Sequence, residues 1–584
     1  MPSKMLKRYA PLLAVAAVQL FIIAALAPSK APAQVTTAAG PNSGGPGSPY
    51  SNSTVPGQEG QIDPSTGLTL IDPVTGQPAI NPATGQPITP GGPNAQAGDT
   101  SHCVGDRQFD PAIDFYAPPC VPVFAGGDNG GATYQGVTGD TIKVIRYYGQ
   151  GHPAVDAILV AQDAYVSIEQ HREFQAAVQT FINERYELYG RQIELSVFQG
   201  NCSTIPPNNQ CLRDEMRTMV TDEQPFFVMW NSSLSSETFD ELSRLQTPNA
   251  GGWHFRDSFN QARRPYHWDV QMSGTRLALH AARWWCQQMN GQPTEYAGTG
   301  NPTENLNGRP RSLGVIATND PENQATVEID FAQEVARCGG GYGQKKYFYA
   351  QDITTVDQQR RAAVLRMRQA EGHDGSTQPA TSIMCFCDLV APIFLYAEEQ
   401  TQHYYPENIV VGAGLMDADV SAQAYMGDVG CNPALGPCNF EDAFGISSLG
   451  PQEAQNGDAG YRVWRAGGGG ETPPFESAAM TVEWDYYNLI AGLIQGAGPQ
   501  LNPQNMESGA FAAGARGDAT HSARGFFPGN YAWNLDMRVV YWSTVQASPY
   551  NNEAGTYIDV YNRRFAVDQW ATVPRQLQLP GKPR

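Results

Sequence analysis

An apolar run of strand length, Phe226-Phe227-Val228-Met229-Trp230, stops at three small polar residues, Asn231, Ser232 and Ser233. A helical pattern follows, with Phe239, Leu242 and Leu245 at spacings of three. The first turn of a helix carries unpaired N–H groups and the positive end of its dipole, so hydroxyls placed there can help hold an anionic group such as a carboxylate. Open α/β sheets bind ligands beyond the carboxyl ends of their strands, where this turn would lie. The plainer alternative is that the serines only cap the helix. Other chemistry finds less footing. No Gly-x-Ser-x-Gly elbow is present, and neither a P-loop nor Gly-x-Gly-x-x-Gly follows a strand. No CxxC pair exists and the nine histidines show no HExxH spacing, so no metal and no cofactor are expected.

The elements that would position such a turn alternate along the chain. Strands are expected at Thr141–Tyr147, Ile193–Phe198, Ser312–Ala317, Tyr347–Tyr349, Ser382–Phe386 and Ile409–Gly412. Helices are expected between them, including one long helix from Val155 to Tyr189 and others over Leu212–Thr221, Gly274–Asn290, Asn323–Arg337, Val356–Glu371 and Pro392–Thr401. Strictly alternating strands and helices imply a parallel, doubly wound α/β sheet. Phe475–Ile494 reads as a long amphipathic helix, and the tail as β-like segments, Met537–Trp542 and Gly555–Tyr561.

A chain of 584 residues needs two or three compact units. Its formal charge of −20 argues against nucleic acid and anionic membrane surfaces as partners, because both require a basic face. Residues 1–33 have the layout of a secretory signal: Lys4, Lys7 and Arg8, an apolar stretch from Pro11 to Ala27, then Ala31-Pro32-Ala33. An uncleaved membrane anchor is the alternative. Residues 34–105 form a Gly/Pro-rich linker, expected to be disordered, with a nine-residue repeat beginning at Ile62, Ile71 and Ile80. Export and ten cysteines, several close in sequence, point to disulfides: Cys103 with Cys120, Cys202 with Cys211, and Cys431 with Cys438. Cys286 and Cys338 would pair if their helices are neighbours. Cys385 and Cys387 share one face of a strand and could be buried thiols, a strained bridge, or partners of other cysteines.

The segments GVTGDTIKVI, RRPYHWDVQMSG, SLGVIATNDPENQATVEIDFAQEVARCGG, TSIMCFCDLVAPIFLYAEEQTQHYYPENIVVGAG and GTYIDVYNRRFAVDQW run in an order that resembles the type 1 periplasmic binding proteins. The likeness is to the branched-chain amino acid group of ABC-transporter solute receptors found in actinobacteria, and it covers about Gly136 to Trp570. It implies two Rossmann-like lobes joined by three crossing strands, near Arg264–Trp268, Phe444–Ser448 and Val539–Trp542. The lobes would comprise residues 136–268 with 445–540, and 269–444 with 541–575. The resemblance places ligand contacts at Tyr148, at Asn231, Ser232 and Ser233, at Trp253, at Asn319 and Asp320, at Asp388, and at Asp417. The carboxylate of an amino-acid-like solute would meet Ser232 and Ser233, and its ammonium Asp388 or Asp417. Where the family has a Ser/Thr-rich turn, this chain has TPNAGGWHF. For Asp388 and Asp417 singly, a helix cap is an equal alternative, and Trp253 could be core.

The expected function is therefore that of an extracytoplasmic solute receptor, without catalysis, whose partners are a small-molecule solute and an ABC permease. A ligand sensor or surface interaction protein on the same scaffold is the second reading, and a secreted hydrolase the third.

Overall fold

The computed structural model describes residues 98–161, 165–230, 235–252, 254–298, 305–412, 415–427 and 430–580. The signal, nearly all of the linker and its repeats, Asn231, Ser232, Ser233 and Trp253 lie outside the described residues.

Two separate sheets carry the fold. The first is all parallel, in the order β2-β1-β3-β4-β5, built from β1 (Thr141–Gln150), β2 (Gln192–Ser203), β3 (Phe227–Trp230), β4 (Asn249–Gly251) and β5 (His267–Trp268). The second comprises β6 (Leu313–Thr318), β7 (Lys346–Tyr349), β8 (Ser382–Phe386), β9 (Glu407–Val411), β10 (Phe444–Ser447), β11 (Arg538–Ala547) and β12 (Ala554–Asp559). Its order is β12-β11-β10-β9-β8-β6-β7. The run β7-β6-β8-β9-β10 is parallel and repeats the order of the first sheet, while β11 and β12 add an antiparallel edge. In each sheet the first strand sits between the second and the third, so the direction of winding reverses there and opens a crevice at the carboxyl ends.

Alternation along each strand feeds two cores per sheet. In β1, Ile142 and Val144 enter one apolar cluster while Ile145 and Tyr147 enter another. In the second sheet Val315, Ala317, Met384 and Phe386 face one side, with Ile316, Ile383 and Cys385 on the other. Sheets covered on both faces need near-continuous apolar strands, and β6, β8 and β9 are buried at every position.

The chain changes lobe three times. Helix Gly274–Gln288 packs on the second sheet, helices Ala459–Ala466, Ser477–Ala497 and Pro503–Ala513 return to the first, and β11 goes back to the second. All of β10 and the start of β11 hydrogen-bond within the second sheet, so residues 445–447 and 538–540 belong there. The first and third crossings pair with each other: Asp269 N–H donates to Tyr531 O at 3.0 Å and Trp533 N–H to Asp269 O at 2.9 Å. Residues 98–135 pack on the first lobe through Phe109 and Ala117. The end of the expected linker is already tied down there, by Val123 N–H to Asp99 O at 2.9 Å and by the Cys103–Cys120 bond.

The expected helix Val155–Tyr189 is two helices, Pro153–Ala161 and Ile168–Arg185. Ser167 starts the second through a capping box with Gln170, which ends helical continuity more firmly than the apolar periodicity extends it. Asn323–Arg337 is likewise interrupted, by a π-helical stretch at Thr326–Phe331. All ten cysteines are paired: Cys103–Cys120, Cys202–Cys211, Cys286–Cys338, Cys385–Cys387 and Cys431–Cys438. The shared face of Cys385 and Cys387 is what brings those two together, since both lie in the same core. No helix among the described residues is long and apolar enough to cross a membrane.

Candidate functional site

The first wall of the crevice is the carboxyl edge of the first sheet. Tyr148, near the end of β1, is half-buried and donates its hydroxyl to Val166 O at 3.1 Å. Its ring stacks edge-on to His171 and lies under the Arg146 guanidinium, 5.6 Å from ring centre. Arg146 is fully buried against Glu483, with Nε 2.5 Å from Oε1, and His171 Nδ1 lies 2.8 Å from Oε2. Burial alone would raise the Glu483 carboxyl, yet Arg146 and His171 together hold it at about 2. A charged cluster thus sits directly beneath Tyr148. Beyond β3, Ser235 and Ser236 begin helix Ser236–Arg244.

The second wall carries carboxylates. Asn319 and Asp320 follow β6; Asn319 is exposed, and Asp320 accepts from Glu322 N–H at 2.9 Å as the cap of the next helix. Asp388 follows β8 and is bonded on both oxygens. Oδ1 accepts from Val390 and Ala391 N–H at 2.8 and 2.9 Å, while Oδ2 accepts from Tyr349 OH at 2.8 Å and Gln351 Nε2 at 3.1 Å. Asp417, after β9, is 1% exposed, and burial pushes its carboxyl up against the hydrogen bond from Ser447 Oγ at 2.6 Å. Asp388 thus closes the turn that leads into helix Ala391–Thr401, and Asp417 is turned into the protein.

Where the walls meet, three contacts join them. Ser236 donates both its N–H and its hydroxyl to Asp320 Oδ2, each at 3.1 Å. Arg256, after β4, makes a two-pronged pair with Asp330 at 2.8 and 3.0 Å, and Thr275 Oγ1 adds a third donor at 3.0 Å. On the other flank Tyr550, in the β11–β12 turn, donates to Glu476 Oε2 at 2.5 Å, and Gln455 N–H reaches Tyr550 O at 2.8 Å. The approach is close: a Cβ at Gly274 would stand 2.3 Å from both His254 O and Thr326 Oγ1, so only glycine fits. Two crevice loops also hold non-glycine residues in left-handed conformations, His254 (φ 55°) beside Trp253 and Leu415 (φ 74°) before Asp417.

No known protein-family model matches the chain, and no curated protein matches it. Solved structures similar to it include a branched-chain amino acid ABC transporter protein from Thermus thermophilus with bound valine, at 10% identity and TM-score 0.47, covering 74% of this chain and 98% of that one. An ABC-transporter solute-binding protein from R. palustris in complex with 4-hydroxybenzoate matches at 11% identity and TM-score 0.46, covering 73% and 97%. A leucine-binding protein from Thermotoga maritima matches at 12% identity and TM-score 0.44, covering 74% and 99%.

Of the residues expected at the site, the structure brings Asp320 to the opposite wall. Tyr148, Asp388 and Asp417 stand at strand ends but contact only their own lobe. Sequence reasoning passed over Ser236, Arg256, Thr275 and Asp330. Asp330 lies in the π-helical stretch, and such insertions in helices recur at functional sites. A π turn changes the phase of the helix, which periodicity reading cannot anticipate.

Proposed function

We propose that this protein is an extracytoplasmic solute receptor that closes two lobes on a small polar, amino-acid-like molecule and delivers it to an ABC permease. The observation that carries this reading is the same order of five parallel strands in both sheets, whose carboxyl sides meet through Ser236–Asp320 and Arg256–Asp330. Closure hides a solute from water and strengthens its charge-assisted bonds, with no covalent step. The proposed contacts are Tyr148, Asn231, Ser232, Ser233 and Trp253 on one side and Asn319 and Asp320 on the other; Asp388 and Asp417, bonded within their own lobe, are set aside. The hydroxyl-rich turn would receive a carboxylate and the acidic wall an ammonium.

Calorimetry with amino acids, small amides and short peptides tests the reading. At least one tight ligand is expected, and Ser233→Ala should weaken it; no heat from any of them overturns the proposal. The long Gly/Pro-rich N-terminal stretch suits a surface-tethered sensor equally well. Loss of ligand uptake in cells lacking the chain supports transport, and unchanged uptake supports sensing.

A further inference from the structure

A groove of about 250 Å³ lies on the outer face of the first lobe, away from the crevice, between the 107–122 segment and helices Ser477–Ala497 and Pro503–Ala513. Its floor is apolar and smooth because those helices touch backbone to backbone: a Cβ at Gly509 would stand 2.2 Å from Gly496 O. Pro118, Pro119 and Pro122 form one rim, and Phe526 and Trp533 supply aromatic surface.

Three arginines line this apolar space: Arg107, Arg516 and Arg524. Paired backbone bonds of 2.8 Å hold Arg516 and Arg524 side by side. Each of the three has a buried guanidinium nitrogen with no acceptor: Arg107 Nε, Arg516 Nη1 and Arg524 Nε. The carboxylates nearby are engaged or turned to solvent. Asp485 is taken by Arg524 at 2.7 and 3.0 Å, and Asp114 by Trp484 and Asn488 at 2.8 and 2.7 Å. Asp106 pairs with Arg107 Nη2 at 3.1 Å from a position 82% exposed, which leaves Arg107 Nε free, and Asp518 caps its own turn. Arg516 has no ion-pair partner among the described residues and rests on the Phe115 ring at 4.3 Å. Burial, reinforced by the charge of Arg107, weakens its hold on its proton. Buried donors without acceptors are costly. An anion between them would offset that cost.

We infer that this groove is a second binding site, which takes the carboxylate of a small amphipathic organic acid on Arg516 and Arg107 and lays its apolar body on the Gly492–Gly509 floor. At about 250 Å³ the groove is smaller than most drug-sized sites, so the body is a short aliphatic chain or a single ring. The planar guanidinium fork suits a carboxylate, and the apolar floor excludes a fully hydrated inorganic anion.

The test is calorimetric titration of the full chain with sodium octanoate, octanol and inorganic phosphate. Octanoate should bind, with octanol and phosphate roughly tenfold weaker or worse. Arg516→Gln should weaken octanoate by a similar factor. Gly492→Leu should do the same by filling the floor, since a Cβ at that helical position meets nothing within 4 Å and the helix gains a better former. Asp320→Asn, in the crevice, should leave octanoate binding unchanged, which separates this site from the proposed solute site. Absence of octanoate binding overturns the inference, as do equal affinity for octanol or phosphate, or unchanged octanoate affinity in both groove variants while each stays folded by circular dichroism.

Discussion

Among the described residues each lobe wholly buries one arginine–glutamate pair, and the two pairs sit at opposite ends of their sheets. In the first lobe Arg146, two residues before Tyr148 at the crevice end of β1, pairs with Glu483 of helix Ser477–Ala497. In the second, Glu407 opens β9 and accepts two bonds of 2.8 Å from Arg311, with Ser382 Oγ adding another at 2.7 Å. All three residues stand at the amino edge of the second sheet, remote from the crevice. Both pairs are almost wholly buried, with side-chain exposures of 2%/2% and 3%/0%. Equal burial therefore does not mean equal function: one cluster supports the floor of the candidate site, while the other only locks strands together.

The sharpest way to break this comparison is to unbalance each pair. Glu483→Gln and Glu407→Gln each leave a buried arginine without its counter-charge, and each should cost about 3–5 kcal/mol in denaturant unfolding. Only Glu483→Gln should also weaken the crevice ligand in the protein that remains folded. A matching affinity loss in Glu407→Gln would end the distinction.

Disulfides give a second contrast. Cys286–Cys338 closes 52 residues and Cys202–Cys211 closes 9. By chain entropy, double serine variants should lose about 4 and about 2.5 kcal/mol respectively. Cys202 lies at the carboxyl end of β2, so the smaller stability loss should bring the larger change in ligand affinity.

Acid should act on the first cluster. The folded Glu483 carboxyl sits at about 2, below the ordinary 4.5, so its contribution is complete above about 4.5 and fades as pH falls toward 2. Burial also lowers His171 below 6.5, against the pull of Glu483, so its contribution too is present above that value and lost below it. Stability measured from pH 7 downward should fall in two stages, and Glu483→Gln should remove the lower one.

Smaller effects come from the contacts between walls. Arg256→Ala removes a half-buried two-pronged pair and should lower ligand affinity by about 2 kcal/mol, with a more open envelope in small-angle scattering. Ser236→Ala leaves the N–H bond to Asp320 and should cost only about 1 kcal/mol of affinity.

Much of this architecture was legible in the chain. Apolar strands alternating with helices implied parallel, doubly wound sheets, and short cysteine spacings matched bonded pairs. What stayed hidden depended on phase or distance. Ser167 reads as an ordinary polar residue in a helical run until its cap with Gln170 is seen, and the π turn moves Asp330 out of register. Asp388 looks like a ligand contact from its position alone, yet its two oxygens accept four bonds within its own lobe.

Local order came from the sequence itself, since the period of apolar residues, the caps and the loop-closing cysteines act between near neighbours. Tertiary structure alone decided strand order, the exchange of helices between lobes, and which charges meet. Arg146 and Glu483 are 337 positions apart, and no local pattern can encode that partnership. It exists because the chain leaves the first lobe, builds the second, and returns to lay a helix on the sheet it began.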